Sequence, residues 1–132
     1  MRGMSEENLE IARAAAAAYN RGDIDALIQA YDPAVEFVTL MLGTRHGREA
    51  VRPIFEENRE NLTGYRLDLE ELIDAGPDKV IVTAHLGGAG RVSQIAMGDL
   101  IAFVATIRDG LIVRQETFRN KDEALEAAGL SA

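Results

Sequence analysis

Apolar residues recur at helical spacing near the start of the chain. Ser5, followed by Glu6 and Glu7, is a typical N-terminal cap with acidic residues in the first helical turn. The apolar positions that would share one face of this helix are Leu9, Ala12, Ala16 and Tyr19. The pattern predicts an amphipathic first helix.

The stretch NRGDIDALIQAY predicts a turn and then a second, short helix. Gly22 tolerates the left-handed conformation that ends many helices, and Asp23 can cap the next one. Its apolar positions are Ile24, Leu27, Ile28 and Tyr31. Pro33 cannot continue this helix, and the alternation around Glu36 predicts a strand from which Glu36 points outward. The apolar positions of that strand are Val35, Phe37 and Leu40.

A further amphipathic helix is predicted from GREAVRPIFEENRENL. Pro53 fits only if this helix begins between Arg48 and Val51, so that the missing amide falls in or just beyond the first turn. Strand-like runs follow: YRLDLEEL, KVIVTAHL, SQIAMGDLIAFVATI and LIVRQETF. Turn residues separate these runs, which predicts an antiparallel meander. KDEALEAAG predicts a closing helix that stops at Gly129.

The predicted hairpin at RDGL assigns side chains to faces. A two-residue turn would pair Arg108 with Leu111, and the pairing would then run evenly along both strands. We expect a cavity on the face with small residues, which holds Ala102, Val104, Thr106, Gln115, Thr117 and Arg119. Bulkier residues edged by Asp99, Arg114 and Glu116 occupy the other face, where we expect a second subunit to form a homodimer.

Composition and charge narrow the class of protein. The 132 residues, 47% of them hydrophobic, predict one domain over residues 1–132. The absence of cysteine suits a cytoplasmic protein, and the net charge of -8 opposes nucleic-acid and anionic-membrane partners. Two histidines without carboxylates at ligand spacing favour neither a metal site nor another cofactor.

The order of these elements resembles a known family. AYNRGDIDALIQAYDPAVEF, GREAV, IRDGLIVRQETF and DEALEAAGL together are similar to the SnoaL-like branch of the nuclear-transport-factor-2-like superfamily. The resemblance implies an α+β fold in which a curved antiparallel sheet wraps around N-terminal helices as a cone. It also implies an apolar pocket and dimerisation through the convex side of the sheet.

The usual ketosteroid isomerase residues are absent from this chain. The resemblance places the tyrosine, the carboxylate base and the late-strand acid of that enzyme near Ala15, Phe37 and residues 102–104, and a further hydroxyl at Phe55. None of these side chains can transfer a proton. Steroid isomerisation by that residue set is therefore not expected.

Two other residues are candidates for acid and base catalysis. His85 ends the run VIVTAHL and shares a face with Thr83, and a histidine exchanges protons near neutral pH. Asp99 interrupts an apolar run, where burial would raise the pKa of its carboxyl group. A strand-end histidine exposed to solvent and an aspartate at a bulge are the alternatives.

Several polar side chains are candidates for ligand binding. Gln115, Thr117 and Arg119 could orient a carbonyl or anionic group from the cavity face. Tyr31 offers an aromatic ring with a hydroxyl, and His46 lies in a loop that the resemblance places at the pocket mouth.

We therefore expect a protein that binds a small apolar or mildly polar metabolite in an internal pocket. Cyclase-like or isomerase-like acid/base chemistry would involve His85 and Asp99, with Gln115 orienting the ligand. The alternatives are a binding module without catalysis and a dimerisation or scaffold domain whose interior is filled by its own side chains.

Overall fold

The protein combines helices with one mixed sheet. The structure is a computed structural model that describes residues 3–40, 43–90 and 100–130. Its helices are α1 (Gly3–Arg21), α2 (Ile24–Gln29), α3 (Arg48–Asn61) and α4 (Lys121–Ala127). Its strands are β1 (Tyr31–Val38), β2 (Thr44–His46), β3 (Leu62–Asp74), β4 (Lys79–Gly90), β5 (Leu100–Arg108) and β6 (Leu111–Phe118). The α+β fold class predicted from the sequence is confirmed.

The predicted helical hairpin is confirmed at its turn. Gly22 has a φ of 76°, and the amide of Asp23 donates to the carbonyl oxygen of Ala18 at 3.0 Å, which closes α1. The Asp23 carboxylate accepts from the amide of Ala26 at 3.1 Å and caps α2. The predicted start of α1 is wrong, because the helix begins at Gly3 and includes Ser5.

The next elements match their predicted positions with two differences. Helix α3 begins at Arg48, so Pro53 is accommodated as predicted, just beyond the first turn. Strand β1 begins at Tyr31, before Pro33, so Tyr31 belongs to the sheet and not to the second helix. The strand also ends at Val38, before Leu40.

The sheet has the order β2-β1-β6-β5-β4-β3. The antiparallel meander from β3 to β6 is confirmed. Two features were not predicted: β1 lies parallel to β6, with Phe37 beside Gln115, and β2 pairs antiparallel with β1, with His46 beside Glu36. The sheet therefore places the first strand of the chain beside the last one.

A register shift in the last hairpin changes the predicted faces. Asp109 and Gly110 both have positive φ, 52° and 81°, and Arg108 pairs with Leu111 as predicted. A bulge then shifts the pairing by one residue between Thr106 and Ile107. Gln115 consequently pairs with Ala105, and Thr117 pairs with Phe103. The prediction that Gln115 and Thr117 share a face with the small residues of β5 is therefore wrong.

The sheet has two differently covered faces. On the inner face, Val80, Val82, Ala105, Ile107 and Ile112 are buried in one cluster with residues of α1, α2 and α3. On the outer face, Ile81, Ala102 and Val104 are buried with Ala124 of α4. Helix α4 thus packs on the small residues of β5, and its fully buried Ala124 allows a close approach. The prediction that these small residues border the cavity is wrong.

Candidate functional site

Four aromatic rings form the centre of the inner face. Phe55 of α3 packs against Tyr19 of α1 with ring centroids 5.5 Å apart, and against Phe37 of β1 at 5.8 Å. The Tyr31 ring stacks on Phe55 at 6.2 Å and meets Phe37 edge-on at 5.9 Å. Two helices and one strand therefore contribute to a single aromatic wall.

A part-buried polar contact crosses from β1 to β6 behind this wall. The Tyr31 hydroxyl donates to Oε1 of Gln115 at 3.0 Å, between residues 84 positions apart in sequence. Burial raises the pKa of Tyr31 above its ordinary value, although the hydrogen bond with Gln115 acts in the opposite direction. Tyr31 therefore stays neutral across the physiological pH range and acts as a hydrogen-bond donor.

The main chain of Tyr31 is also held in place. The Arg48 guanidinium donates from Nε to the carbonyl oxygen of Tyr31 at 2.8 Å, from the first turn of α3. The amide of Gly47 donates to the carbonyl oxygen of Val35 at 2.7 Å. These bonds fix the start of α3 against β1, and with it the position of Phe55 over Tyr31.

Part of the inner face is open to solvent. Gln115 is half-buried although β6 is a central strand, with β1 and β5 on its two sides. Its backbone is covered by those neighbours, so the exposed area belongs to a side chain that points toward the helices. Phe103 and Thr117, which are cross-strand partners on the same face, are also half-buried. The helices therefore do not fill the space in front of these three residues.

A small cleft lies beside the aromatic wall. Its empty volume is about 190 Å³ including open solvent, and its lining residues are Tyr19, Ile24, Leu27 and Phe55. Drug-sized ligands occupy sites of ~300–1,000 Å³. The enclosed part of this cleft holds little more than one water molecule, so it is far smaller than the deep pocket that the family resemblance implies.

His85 lies outside this interior. Strand alternation places it with Ile81 and Thr83 on the outer face, and its Nε2 is 2.6 Å from Oε2 of Glu70. Both side chains are about half exposed, at 47% and 45%. The structure therefore does not bring His85 to the inner face, and its catalytic role stays a prediction. Asp99, the second catalytic candidate, lies outside the described residues.

His46 and the outer-face charges form a separate polar group. His46 is exposed in β2 and pairs across the strands with Glu36, which points outward as predicted. Arg114 bonds Glu36 and Glu116, at 2.9 Å in each case. Burial lowers the pKa of Arg114, whereas Glu116 and Glu36 raise it, and the net shift is upward. His46 lies in the edge strand β2 and not in the loop that the resemblance implied. Its cross-strand partner, Glu36, points to the outer face of the sheet.

The three ligand-binding candidates in and after β6 differ in exposure. Gln115 and Thr117 are half-buried on the inner face. Arg119 is exposed just beyond β6.

Among the described residues, no group of three or more His, Cys, Asp or Glu side chains is arranged to hold a metal ion. No helix among them is long and apolar enough to cross a membrane.

Sequence reasoning named Tyr31 and Gln115 separately and missed their contact. No sequence signal links them, because the contact depends on the parallel pairing of β1 with β6. It also missed Asn20, whose carboxamide bonds the backbone of Leu67. An asparagine two residues before the glycine that ends α1 was the only signal for this role.

Solved structures with the same fold come from several bacteria. A nuclear-transport-factor-2-like protein from Burkholderia thailandensis E264 is 29% identical with a TM-score of 0.72, covering 93% of this chain and 95% of its own. A candidate polyketide cyclase from Sinorhizobium meliloti is 22% identical with a TM-score of 0.69, covering 82% and 93%. A protein with a ketosteroid isomerase-like fold from Catenulispora acidiphila DSM 44928, in complex with trimethylamine, is 22% identical with a TM-score of 0.73, covering 92% and 93%.

These structures confirm the predicted cone-shaped fold, here with an unclosed sheet of six strands. No curated protein matches the chain in sequence. The model of the SnoaL-like domain matches residues 12–115, which include the helical hairpin, the aromatic wall and Gln115. The chain therefore belongs to the SnoaL-like domain family.

Proposed function

We propose that the chain binds a small, largely apolar molecule between the inner face and helices α1 to α3. The observation that carries this proposal is the Tyr31–Gln115 pair, a polar group held behind aromatic rings at a half-open position of the sheet. Ligand sites of this kind combine an apolar lining with a few placed polar groups. Gln115 and Thr117 supply the polar contacts, and Arg119 lies nearest to solvent.

The dimensions of the described cleft limit the ligand. The empty volume of about 190 Å³ includes open solvent, and the enclosed part has room for little more than one water molecule, so a small cyclic ligand can enter only if a side chain moves. Phe55 is the side chain best placed to move, since it lines the cleft and contacts the other three aromatic rings. Displacement of its ring would extend the cleft toward the open space in front of Gln115.

Acid/base catalysis is a second candidate function, supported by the polyketide cyclase name of the Sinorhizobium meliloti protein. The described inner face offers Tyr31 and Gln115 near the open space, and neither accepts a proton at neutral pH. Catalysis would therefore depend on Asp99 as base, and His85 could contribute only if β4 changed its register, because its side chain lies on the outer face beside Glu70. Binding without chemistry needs no such change, so we place it first.

A scaffold role is the third candidate, and the small cleft supports it. The rings of Tyr19, Phe37 and Phe55 fill much of the described interior, as expected for a domain without a ligand. A scaffold does not require the Gln115 carboxamide to face an open space, and that feature favours ligand binding.

The proposal includes one domain over residues 1–132, a cytoplasmic location and a homodimer through the outer face. Helix α4 covers β4 and β5 there, whereas Glu36, Val38, Arg114 and Glu116 near β1 remain half-buried. A two-fold contact could place Arg114 of each copy near the acids of the other. The charges of this area are therefore compatible with a second copy of the chain.

Native mass spectrometry, followed by denaturing extraction, tests the proposed function. We expect purified protein to carry a defined small molecule, or to take one up from a library of small cyclic metabolites. Gln115→Leu should reduce the occupancy, whereas Glu116→Gln, which alters the adjacent residue on the outer face, should not. Protein that neither retains nor takes up any molecule would support the scaffold role and contradict this proposal.

A further inference from the structure

We infer that Tyr31 orients the Gln115 carboxamide so that the site selects ligands with a hydrogen-bond acceptor, such as a carbonyl oxygen. This inference rests on the proposed function and specifies its ligand class. Its basis is the direction of one hydrogen bond, in which the Tyr31 hydroxyl donates to Oε1 of Gln115 at 3.0 Å.

The orientation of the carboxamide follows from the burial of Tyr31. The residue is only 2% exposed, so its hydroxyl proton cannot be satisfied by bulk water. Gln115 Oε1 is its one acceptor among the described residues. If the carboxamide were reversed, Nε2 could donate to the Tyr31 oxygen, but the buried hydroxyl proton would then have no acceptor among the described residues. Tyr31 therefore holds Oε1 toward itself.

The Gln115 amide nitrogen is left to face the open space. Within the described part of the chain, Nε2 of Gln115 has no hydrogen-bond partner, and the residue is half-buried on the inner face. An amide nitrogen donates and does not accept. A ligand oxygen that accepts a hydrogen bond is thus matched, whereas a group that can only donate is not.

The Tyr31 hydroxyl acts at a distance from the ligand. It is a positioning residue, because it contacts Gln115 and lies behind the Phe55 ring that borders the cleft. Sites built around one fixed donor discriminate against analogues that leave the donor unpaired. A carboxamide has an oxygen that accepts and a nitrogen that donates hydrogen bonds. If the Gln115 carboxamide were free to rotate, it could bind a ligand donor as well as a ligand acceptor, and the site would not distinguish them.

Three bicyclic probes of nearly equal size test the inference. 1-Indanone carries an acceptor, indole carries only a donor, and indane carries neither. Calorimetric titration of the wild-type protein should show 1-indanone binding about two- to tenfold more tightly than indole or indane, the range of one net hydrogen bond. Tyr31→Phe frees the carboxamide to rotate, so indole should gain affinity relative to 1-indanone. Gln115→Leu should make the three affinities similar.

The outcomes separate this inference from the proposed function. A purely structural role of Tyr31 would weaken all three probes together in Tyr31→Phe and leave their ratios unchanged, which would overturn the inference. Wild-type binding of indole as tight as that of 1-indanone would also overturn it, while leaving the proposed function intact. Failure of all three probes to bind would contradict both. Glu116→Gln, on the outer face, should retain the wild-type ratios.

Discussion

Asn20 bonds the backbone of Leu67 through both ends of its carboxamide. Its Nδ2 donates to the Leu67 carbonyl oxygen at 2.8 Å, and its Oδ1 accepts from the Leu67 amide at 2.7 Å. The side chain thereby acts as a short piece of strand beside β3. This contact joins the end of α1 to the sheet, next to the tight turn at Gly22, and sets the position of Tyr19 beside the cleft.

Replacement of Asn20 by alanine should destabilise the fold. The change removes two hydrogen bonds and leaves the amide and carbonyl of Leu67 without this partner, at a cost of about 1–3 kcal/mol. Urea unfolding followed by circular dichroism measures the free energy of unfolding. The neighbouring Arg21→Ala is the control and should cost less than about 1 kcal/mol, because Arg21 is exposed and its ion pair with Asp23 is a long one, at 3.6 Å. Equal effects of the two changes would contradict the role of Asn20.

The burial of Tyr31 predicts a pH dependence of stability at high pH. Because its folded-state pKa is raised, the folded protein keeps the proton while the unfolded chain loses it above its ordinary value of 10.0. The contribution is fully present below that pH and is lost above it, at up to ~1.4 kcal/mol per pH unit. Urea unfolding between neutral pH and pH ~11 should therefore show a steeper decline for wild type than for Tyr31→Phe. Parallel curves would show that Tyr31 ionises as easily when folded.

The contact of α4 with the outer face can be tested at one residue. Ala124 is fully buried against β4 and β5, so Ala124→Leu should overpack this contact and cost roughly 1–3 kcal/mol. Ala127→Leu makes the same change at an exposed position of the same helix and should be nearly neutral. Thermal unfolding of both variants measures the difference. A stable Ala124→Leu variant would mean that α4 does not pack closely on the sheet.

The proposed homodimer can be tested with a variant that should remain monomeric. Val38→Arg adds a charge at a half-buried outer-face position next to Arg114 and Glu116, where like charges would repel across a two-fold contact. Light scattering should show a dimer for wild type and a monomer for Val38→Arg. Glu57→Arg, on an exposed position of α3, should remain a dimer. A monomeric wild type would contradict the proposed interface.

The sequence predicted most elements because their signals are local. Turns and caps are determined by the backbone preferences of the residues that form them. Examples are Gly22 with Asp23, Asp109 with Gly110, and Gly129. The faces of the last hairpin were wrong because a bulge adds one residue beside Val113, and an apolar residue in an apolar run gives no sign of a bulge.

The site was less predictable because it depends on long-range pairing. Gln115 and Tyr31 meet through the parallel alignment of β1 with β6, and local patterns carry no information on such an alignment. His85 was assigned to catalysis from its residue type, whereas its strand position directs it to the outer face and Glu70. The family resemblance predicted the cone correctly, but these side chains could be placed only with the strand pairing known.

The most direct test of the account is the location of a bound probe by nuclear Overhauser effects between 1-indanone and the isotope-labelled protein. We predict contacts from the probe to the Phe55 and Phe103 rings and to the side-chain amide of Gln115, all on the inner face. Contacts confined to outer-face residues such as Val38 and Val104, or no contacts at all under saturating probe, would contradict binding in the interior.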